Sequence, residues 1–256
     1  MTPLGALLAD RSAGWVREHG PGLVVGVSGP QGSGKSTACA QAVAALAAGG
    51  LRAASLSLDD LYLPRAERER RARHLHPLQL TRGAPGTHDA ALGLALLEAV
   101  RRGEAAEAPR FDKRTDDRAA EGVRLPAGLD VLLFEGWCLG VGPAPPDEPA
   151  APLNPLEREA DADGRWRAAV EAELAGAYAR LWAGVDRWVV LLAPGWRVVR
   201  RWRAQSEPAG GMDAPALERF MQHYERVAAR AARTLPARAD LLVALDEERR
   251  PTVLRG

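Results

Sequence analysis

Lysine is almost missing from this sequence: Lys35 and Lys113 are the only two among 34 Lys and Arg side chains, and all the others are arginine. Genome composition alone can produce such a bias, and it makes each surviving lysine a candidate functional position. Cysteine is equally scarce. Cys39 falls in a predicted helix and Cys138 just after a predicted strand, far apart in the chain, which argues against a disulfide framework and for a reducing compartment. No apolar run approaches the length of a bilayer-crossing helix. The first 19 residues carry Asp10, Arg11, Arg17 and Glu18 and read as an amphipathic helix, not a signal peptide. The net charge of +1 removes the broad basic field that a nucleic-acid or anionic-membrane partner would call for. The expectation is a cytoplasmic protein with neither of those partners. There is no internal repeat. What the chain does have is a 46% apolar fraction over 256 residues, ample for the core of one large α/β domain spanning 1–256.

Short apolar runs predict strands at 23–28, 51–58, 129–134, 187–193 and 240–245. Between them, helical patterns cover 35–48, 65–73, 90–102, 166–182, 196–205 and 214–235, following the N-terminal helix at 1–20. Residues 140–155 hold six prolines and read as a surface loop within the core region 22–256. Strands alternating with helices predict a mainly parallel sheet covered on both faces.

Gly29-Pro30-Gln31-Gly32-Ser33-Gly34-Lys35-Ser36 fits the spacing G-x-x-x-x-G-K-[ST], with Thr37 following, and it lies between a predicted strand and a predicted helix. That context is what phosphate binding needs. Glycines let the backbone wrap a phosphate, and a helix start offers free N–H groups. Lys35 suits the β- and γ-phosphates and the Ser36 hydroxyl suits Mg²⁺. The loop is compatible with ATP or GTP. No N-K-x-D segment for reading a guanine base is present, nor an L-S-G-G-Q-type transporter signature, which points toward a metabolite kinase.

Two acidic segments follow predicted strands. Asp59 and Asp60 come at the end of the second, where ligands sit in doubly wound sheets. A carboxylate there can accept a hydroxyl proton or hold Mg²⁺ through water. In an extended segment only one of the pair points inward. Glu135 ends the third strand in a Walker B-like position, suited to Mg²⁺ beside Ser36.

In order and spacing, GPQGSGKST, SLDDLYL, TRGAPGTHD, PRFDK, VLLFEGWCLG, WRAQSE and GMDAPALERFMQHYERV resemble the D-glycerate 3-kinase family, within the group of uridine kinase, phosphoribulokinase and pantothenate kinase. The resemblance runs over nearly the whole chain. It implies a three-layer P-loop NTPase fold with helical insertions and a lid, ATP and Mg²⁺ as cofactors, and a small hydroxy acid as phosphoryl acceptor. Pantothenate, a nucleoside, or a regulatory ATP switch without catalysis are the alternatives. It further implies Asp59 as catalytic base supported by Asp60, with Lys35 and Arg201 stabilising charge. Gly29, Gly32, Ser33, Gly34, Lys35, Ser36, Thr37 and Arg197 would bind ATP, and Ser36 and Glu135 the metal. Arg82, Thr87, His88, Asp89, Asp112 and Lys113 would bind the acceptor, arginine suiting a carboxylate. Asp89 serves equally as a helix cap. Arg197, Arg200 and Arg201, three and four residues apart, are expected on one face of a lid helix. The chain departs from the family pattern in a compressed loop at 114–118 and in Glu171, where asparagine is expected.

Overall fold

The computed structural model describes residues 1–207 and 211–256. Helix α1 (Pro3–His19) leads into β1 (Leu23–Ser28), α2 (Lys35–Ala48) and β2 (Ala53–Ser57). Next come α3 (Arg65–His74), α4 (Ala90–Arg101) and four short strands, β3 (Ala106–Ala108), β4 (Phe111–Asp112), β5 (Asp117–Arg118) and β6 (Val123–Leu125). The chain continues through β7 (Val131–Gly136), α5 (Pro155–Ala160), α6 (Arg165–Ala175), α7 (Ala177–Trp182), β8 (Arg187–Leu192) and α8 (Trp196–Gln205). It ends with α9 (Ala214–Thr234), β9 (Leu241–Leu245) and β10 (Pro251–Arg255).

The central sheet has the order β10-β9-β8-β1-β7-β2. All neighbours are parallel except β10, which pairs antiparallel with β9. Side chains alternate across it. Leu23, Val25, Val27, Val131, Leu133, Val189 and Leu191 join one apolar cluster with residues of α1, α2 and α8. Val24, Leu132, Phe134, Trp188 and Val190 join the other, with residues of α4, α6, α7 and α9. Each such side chain, fully buried, contributes about 1.5–3 kcal/mol. This two-faced burial explains why β1 and β7 read as unbroken apolar runs.

Two expectations need correction. The helix predicted over 166–182 is two helices, broken at Gly176, whose backbone (φ −103°, ψ −96°) leaves the helical region. Strand β10 escapes the apolar pattern because it is an edge strand with most of its side chains exposed. The proline-rich stretch is a surface loop, as expected, and it is anchored at several points. Val141 is buried, and Glu148 accepts hydrogen bonds from Arg230 (2.6 Å) and Arg233 (3.0 Å) of α9. Glu171 joins the same cluster, accepting from Arg230 (2.6 Å) and from the Ala144 N–H (2.7 Å). Glu171 thus gives Arg230 a second carboxylate beside Glu148, a charge that asparagine would not carry.

Candidate active site

The carboxyl ends of β1, β7 and β2 meet at one edge of the sheet. Register pairs Val27 with Glu135 and Ser57 with Glu135, so the Walker B-like acid is flanked by both parallel neighbours. Beyond Ser28 the chain enters the glycine-rich loop, where the Gly29 N–H donates to the Gly136 carbonyl at 3.2 Å. Gly34 begins α2 in the left-handed region (φ 84°) and no side chain caps that helix, so its first N–H groups face outward unclaimed by a cap. The Ser33 hydroxyl and the Gln31 amide are buried without a partner among the described residues. An uncapped helix start beside orphaned donors fits an anion.

Lys35 Nζ lies 3.9 Å from Glu135 Oε2 and 3.5 Å from the Pro30 carbonyl. The Ser36 hydroxyl donates to Glu135 Oε1 at 2.8 Å. A hydroxyl and a carboxylate sharing one corner are hard oxygen ligands of the kind Mg²⁺ takes. Gly32 (φ 71°) admits no side chain, since a Cβ would lie 2.7–2.8 Å from Trp202 of α8. The loop and α8 are therefore in direct contact.

Asp59 and Asp60 sit not on an extended segment but on a 3-10 turn, Leu58–Leu61, capped by Ser57. The turn sends the two carboxylates to different partners. Asp59 Oδ2 accepts from Lys113 Nζ at 2.6 Å and Oδ1 from the Tyr62 hydroxyl at 2.9 Å. Burial pushes the Asp59 carboxyl up, but the charge and hydrogen bond of Lys113, with Lys35 and His88, outweigh it and hold it at about 2. Asp60 Oδ1 accepts from the Phe111 N–H at 3.2 Å, and burial raises its pKa. Asp60 thus ties the β4–β5 hairpin to the turn, and that hairpin carries Lys113.

The remaining expected residues surround the Asp59 turn, and several of them are spent on building the loops around it. Arg82 pairs with Asp116 and stands over Phe111 and Phe220, 5.8 and 5.9 Å from their ring centres. His88 is buried, stacked on Tyr62 at 4.5 Å, with Nδ1 2.5 Å from the Tyr178 hydroxyl. Thr87 is fully buried, and its hydroxyl donates to the Ala84 carbonyl (2.7 Å) and accepts from the Gly83 N–H (3.0 Å). Its chemistry is spent on shaping the loop. Asp89 caps α4, accepting from the Leu92 N–H at 3.0 Å, and pairs with Arg118. Asp112 closes the hairpin turn by accepting from the Arg114 N–H at 2.8 Å.

The three arginines expected together on one face of a lid helix divide between two partners. Arg197 and Arg201 pair with Glu247 in the turn between β9 and β10, and Arg200 with Glu218 of α9. Arg203 of α8 shares the Phe220 ring with Arg82: it pairs with Glu207, stands 5.7 Å over Phe220, and its charge reaches Tyr224. Sequence reasoning also missed Tyr62, one short turn beyond Asp59, and Arg249. Arg249 adopts φ 66°, donates from Nε to the Gly32 carbonyl at 2.6 Å and lies 5.1 Å over Trp202. Nothing in the local sequence marks it, because its partners come from the glycine-rich loop and α8.

A parallel sheet with a phosphate loop after β1, an acid closing β7 beside it and a second acid after β2 define a P-loop kinase. The comparisons agree. D-glycerate 3-kinase, chloroplastic, of Arabidopsis thaliana is 31% identical over 258 residues, covering 90% of this chain and 54% of the relative, so the chain spans about half that protein's length. The uncharacterized kinase mug58 of Schizosaccharomyces pombe is 30% identical, with 93% of each chain covered. The solved D-glycerate 3-kinase of Cryptococcus neoformans superposes with a TM-score of 0.78 at 25% identity, covering 99% of this chain and 98% of that one. A possible uridine kinase from Bacillus stearothermophilus shares the fold (TM-score 0.53, 16% identity). No protein-family model matches the sequence. The chain belongs to the D-glycerate 3-kinase-like family of P-loop kinases. Among the described residues no helix is long and apolar enough to cross a membrane.

Proposed function

We propose that this protein transfers the γ-phosphoryl group of ATP to a hydroxyl of D-glycerate or a similar small hydroxy acid. The observation that carries the reading is the Asp59 carboxylate, held by Lys113 and Tyr62 just past β2 and coupled electrostatically to Lys35 of the phosphate loop. Gly29, Gly32, Ser33, Gly34 and Thr37 would cradle the triphosphate, with Lys35 on its outer phosphates. Ser36 and Glu135 would hold Mg²⁺, which when bound neutralises phosphate charge. The acceptor hydroxyl attacks the γ-phosphorus, the bond to the β-phosphate oxygen breaks, and the hydroxyl proton passes to Asp59. Arg82 and Lys113 are the cations for the acceptor carboxylate. As Lys113 turns to that carboxylate, Asp59 loses the partner that holds its pKa down and becomes a better base. His88 donates to an acceptor oxygen. Arg203, rather than Arg197 or Arg201, is the lid cation placed for the transferring group. A cytoplasmic location goes with this reading, supported by two buried, unpaired cysteines.

The test is coupled ADP release with and without D-glycerate, with the product identified by mass. Acceptor-dependent release and a phosphorylated hydroxy acid are expected. Hydrolysis indifferent to every acceptor would favour a nucleotide switch.

A further inference from the structure

We infer that Tyr178 is a positioning residue that holds His88 as the neutral Nε2–H tautomer, leaving Nε2–H as the hydrogen-bond donor to an oxygen of the acceptor. The inference rests on the kinase reading above and adds a residue that the motifs do not contain. Three observations carry it.

The first is proton bookkeeping at a buried hydroxyl. Tyr178 is fully buried, and its oxygen accepts from the Gly86 N–H at 3.0 Å. A phenol has one proton to give. Among the described residues its recipient is His88 Nδ1, 2.5 Å away. Were Nδ1 protonated, the Tyr178 proton would be left without an acceptor in a buried place, which is costly. Donation from Tyr178 satisfies all three groups and puts the imidazole proton on Nε2.

The second is that Nε2 is itself buried and lacks a partner among the described residues. A buried N–H without an acceptor is a place for a ligand oxygen.

The third is location. His88 forms an isolated antiparallel bridge with Tyr62, and the two rings stack at 4.5 Å with 24° between their planes. The Tyr62 hydroxyl in turn donates to Asp59 Oδ1, so the imidazole stands one ring away from the proposed base. Burial lowers the His88 pKa to about 4 against the pull of Asp59, which keeps the ring neutral near pH 7 and unable to form an ion pair with that base. The break at Gly176 is the structural device: it separates α7 from α6 and brings Tyr178 to the loop of Gly86 and His88.

The experiment is nitrogen-15 NMR of histidine-labelled full-length protein, free and titrated with D-glycerate, for wild type and Tyr178→Phe. In the free wild type His88 is expected to show protonated Nε2 and bare Nδ1, and D-glycerate should shift the Nε2 signal. In Tyr178→Phe the tautomers should mix, and KM for D-glycerate should rise about tenfold, the loss of roughly one hydrogen bond, while KM for ATP holds. His88→Gln, whose amide N–H falls near Nε2, should retain more acceptor affinity than His88→Leu, a comparison that survives poor folding of the tyrosine variant. A proton on Nδ1 in the free wild type, or equal losses in the two His88 variants, overturns the assignment. A wild type that neither binds nor phosphorylates D-glycerate would overturn the kinase reading and the ligand half with it, while the spectrum of the free protein still decides the tautomer.

Discussion

Asp59 stands between opposing influences. Burial favours its neutral form, while Lys113 at 2.6 Å favours the carboxylate and prevails. Two outcomes follow. Asp59→Asn should abolish phosphoryl transfer yet leave nucleotide binding nearly unchanged, because among the described residues the Asp59 carboxylate is held by Lys113 and Tyr62 and not by the phosphate loop. Equal loss of both in a nucleotide titration would remove Asp59 as the base. Lys113→Met should move upward the acid limb of the kcat/KM profile, which reports the free enzyme in which Lys113 holds Asp59. The base must be ionised to accept a proton, so activity falls as pH drops through its pKa. Without Lys113 the burial contribution dominates and that pKa rises from about 2. A limb left unmoved in the variant would show that Lys113 does not set the base.

At the scale of elements, the short strands and turns around the pocket are held by one buried guanidinium. Helix α3 is densely charged, and Arg68 within it is fully buried. It donates to the carbonyls of Leu63 (3.2 Å), Leu80 (2.6 Å) and Asp116 (2.5 Å), and pairs with the Asp116 carboxylate at 3.0 Å. Those acceptors lie on the Asp59 side of α3, on the loop before Arg82 and on the β4–β5 turn. Arg68→Met would leave them unsatisfied, at a cost of about 3–5 kcal/mol. Denaturant unfolding should show that loss, and KM for the acceptor should rise more than KM for ATP. A midpoint within error of wild type would refute the bracing role. Gly83, at φ 124°, is a second brace point, since a Cβ there would overlap the Tyr224 hydroxyl, which itself donates to the Arg82 carbonyl at 3.0 Å.

Across the whole molecule, acid sensitivity follows from buried histidines. Burial lowers the pKa of both His88 and His223 from 6.5 to about 4. Between those values the unfolded chain binds protons that the folded chain refuses, so stability present above pH 6.5 drains away as pH falls toward 4. The loss is roughly 3 kcal/mol for each ring. Unfolding midpoints measured from pH 7 to pH 4 should fall, and His223→Gln should flatten part of that slope. A slope identical in the variant would exclude His223 as a contributor. The sheet itself, buried on both faces, should be the last part to exchange amide hydrogens.

Local pattern was sufficient for much of this protein. The glycine-rich loop, Glu135 at a strand end and the acid pair after the second strand are each set by short-range spacing, and the apolar runs of β1, β7 and β8 name the central strands because parallel strands are buried on both faces. Resemblance across the ordered motifs supplied the family. Pairings over long sequence distances were invisible to it. Only the folded chain brings Arg249 to the Gly32 carbonyl, Tyr178 to His88, Lys113 to Asp59 and Glu247 to the α8 arginines, because each joins groups 46 or more residues apart. Helical spacing places Arg197 and Arg201 on one face but cannot say which neighbour that face meets. That choice belongs to the packing of α8 between the phosphate loop and the β9–β10 turn, where Trp202 meets Gly32, Arg197 and Arg201 meet Glu247, and Arg203 turns to Glu207 and Phe220.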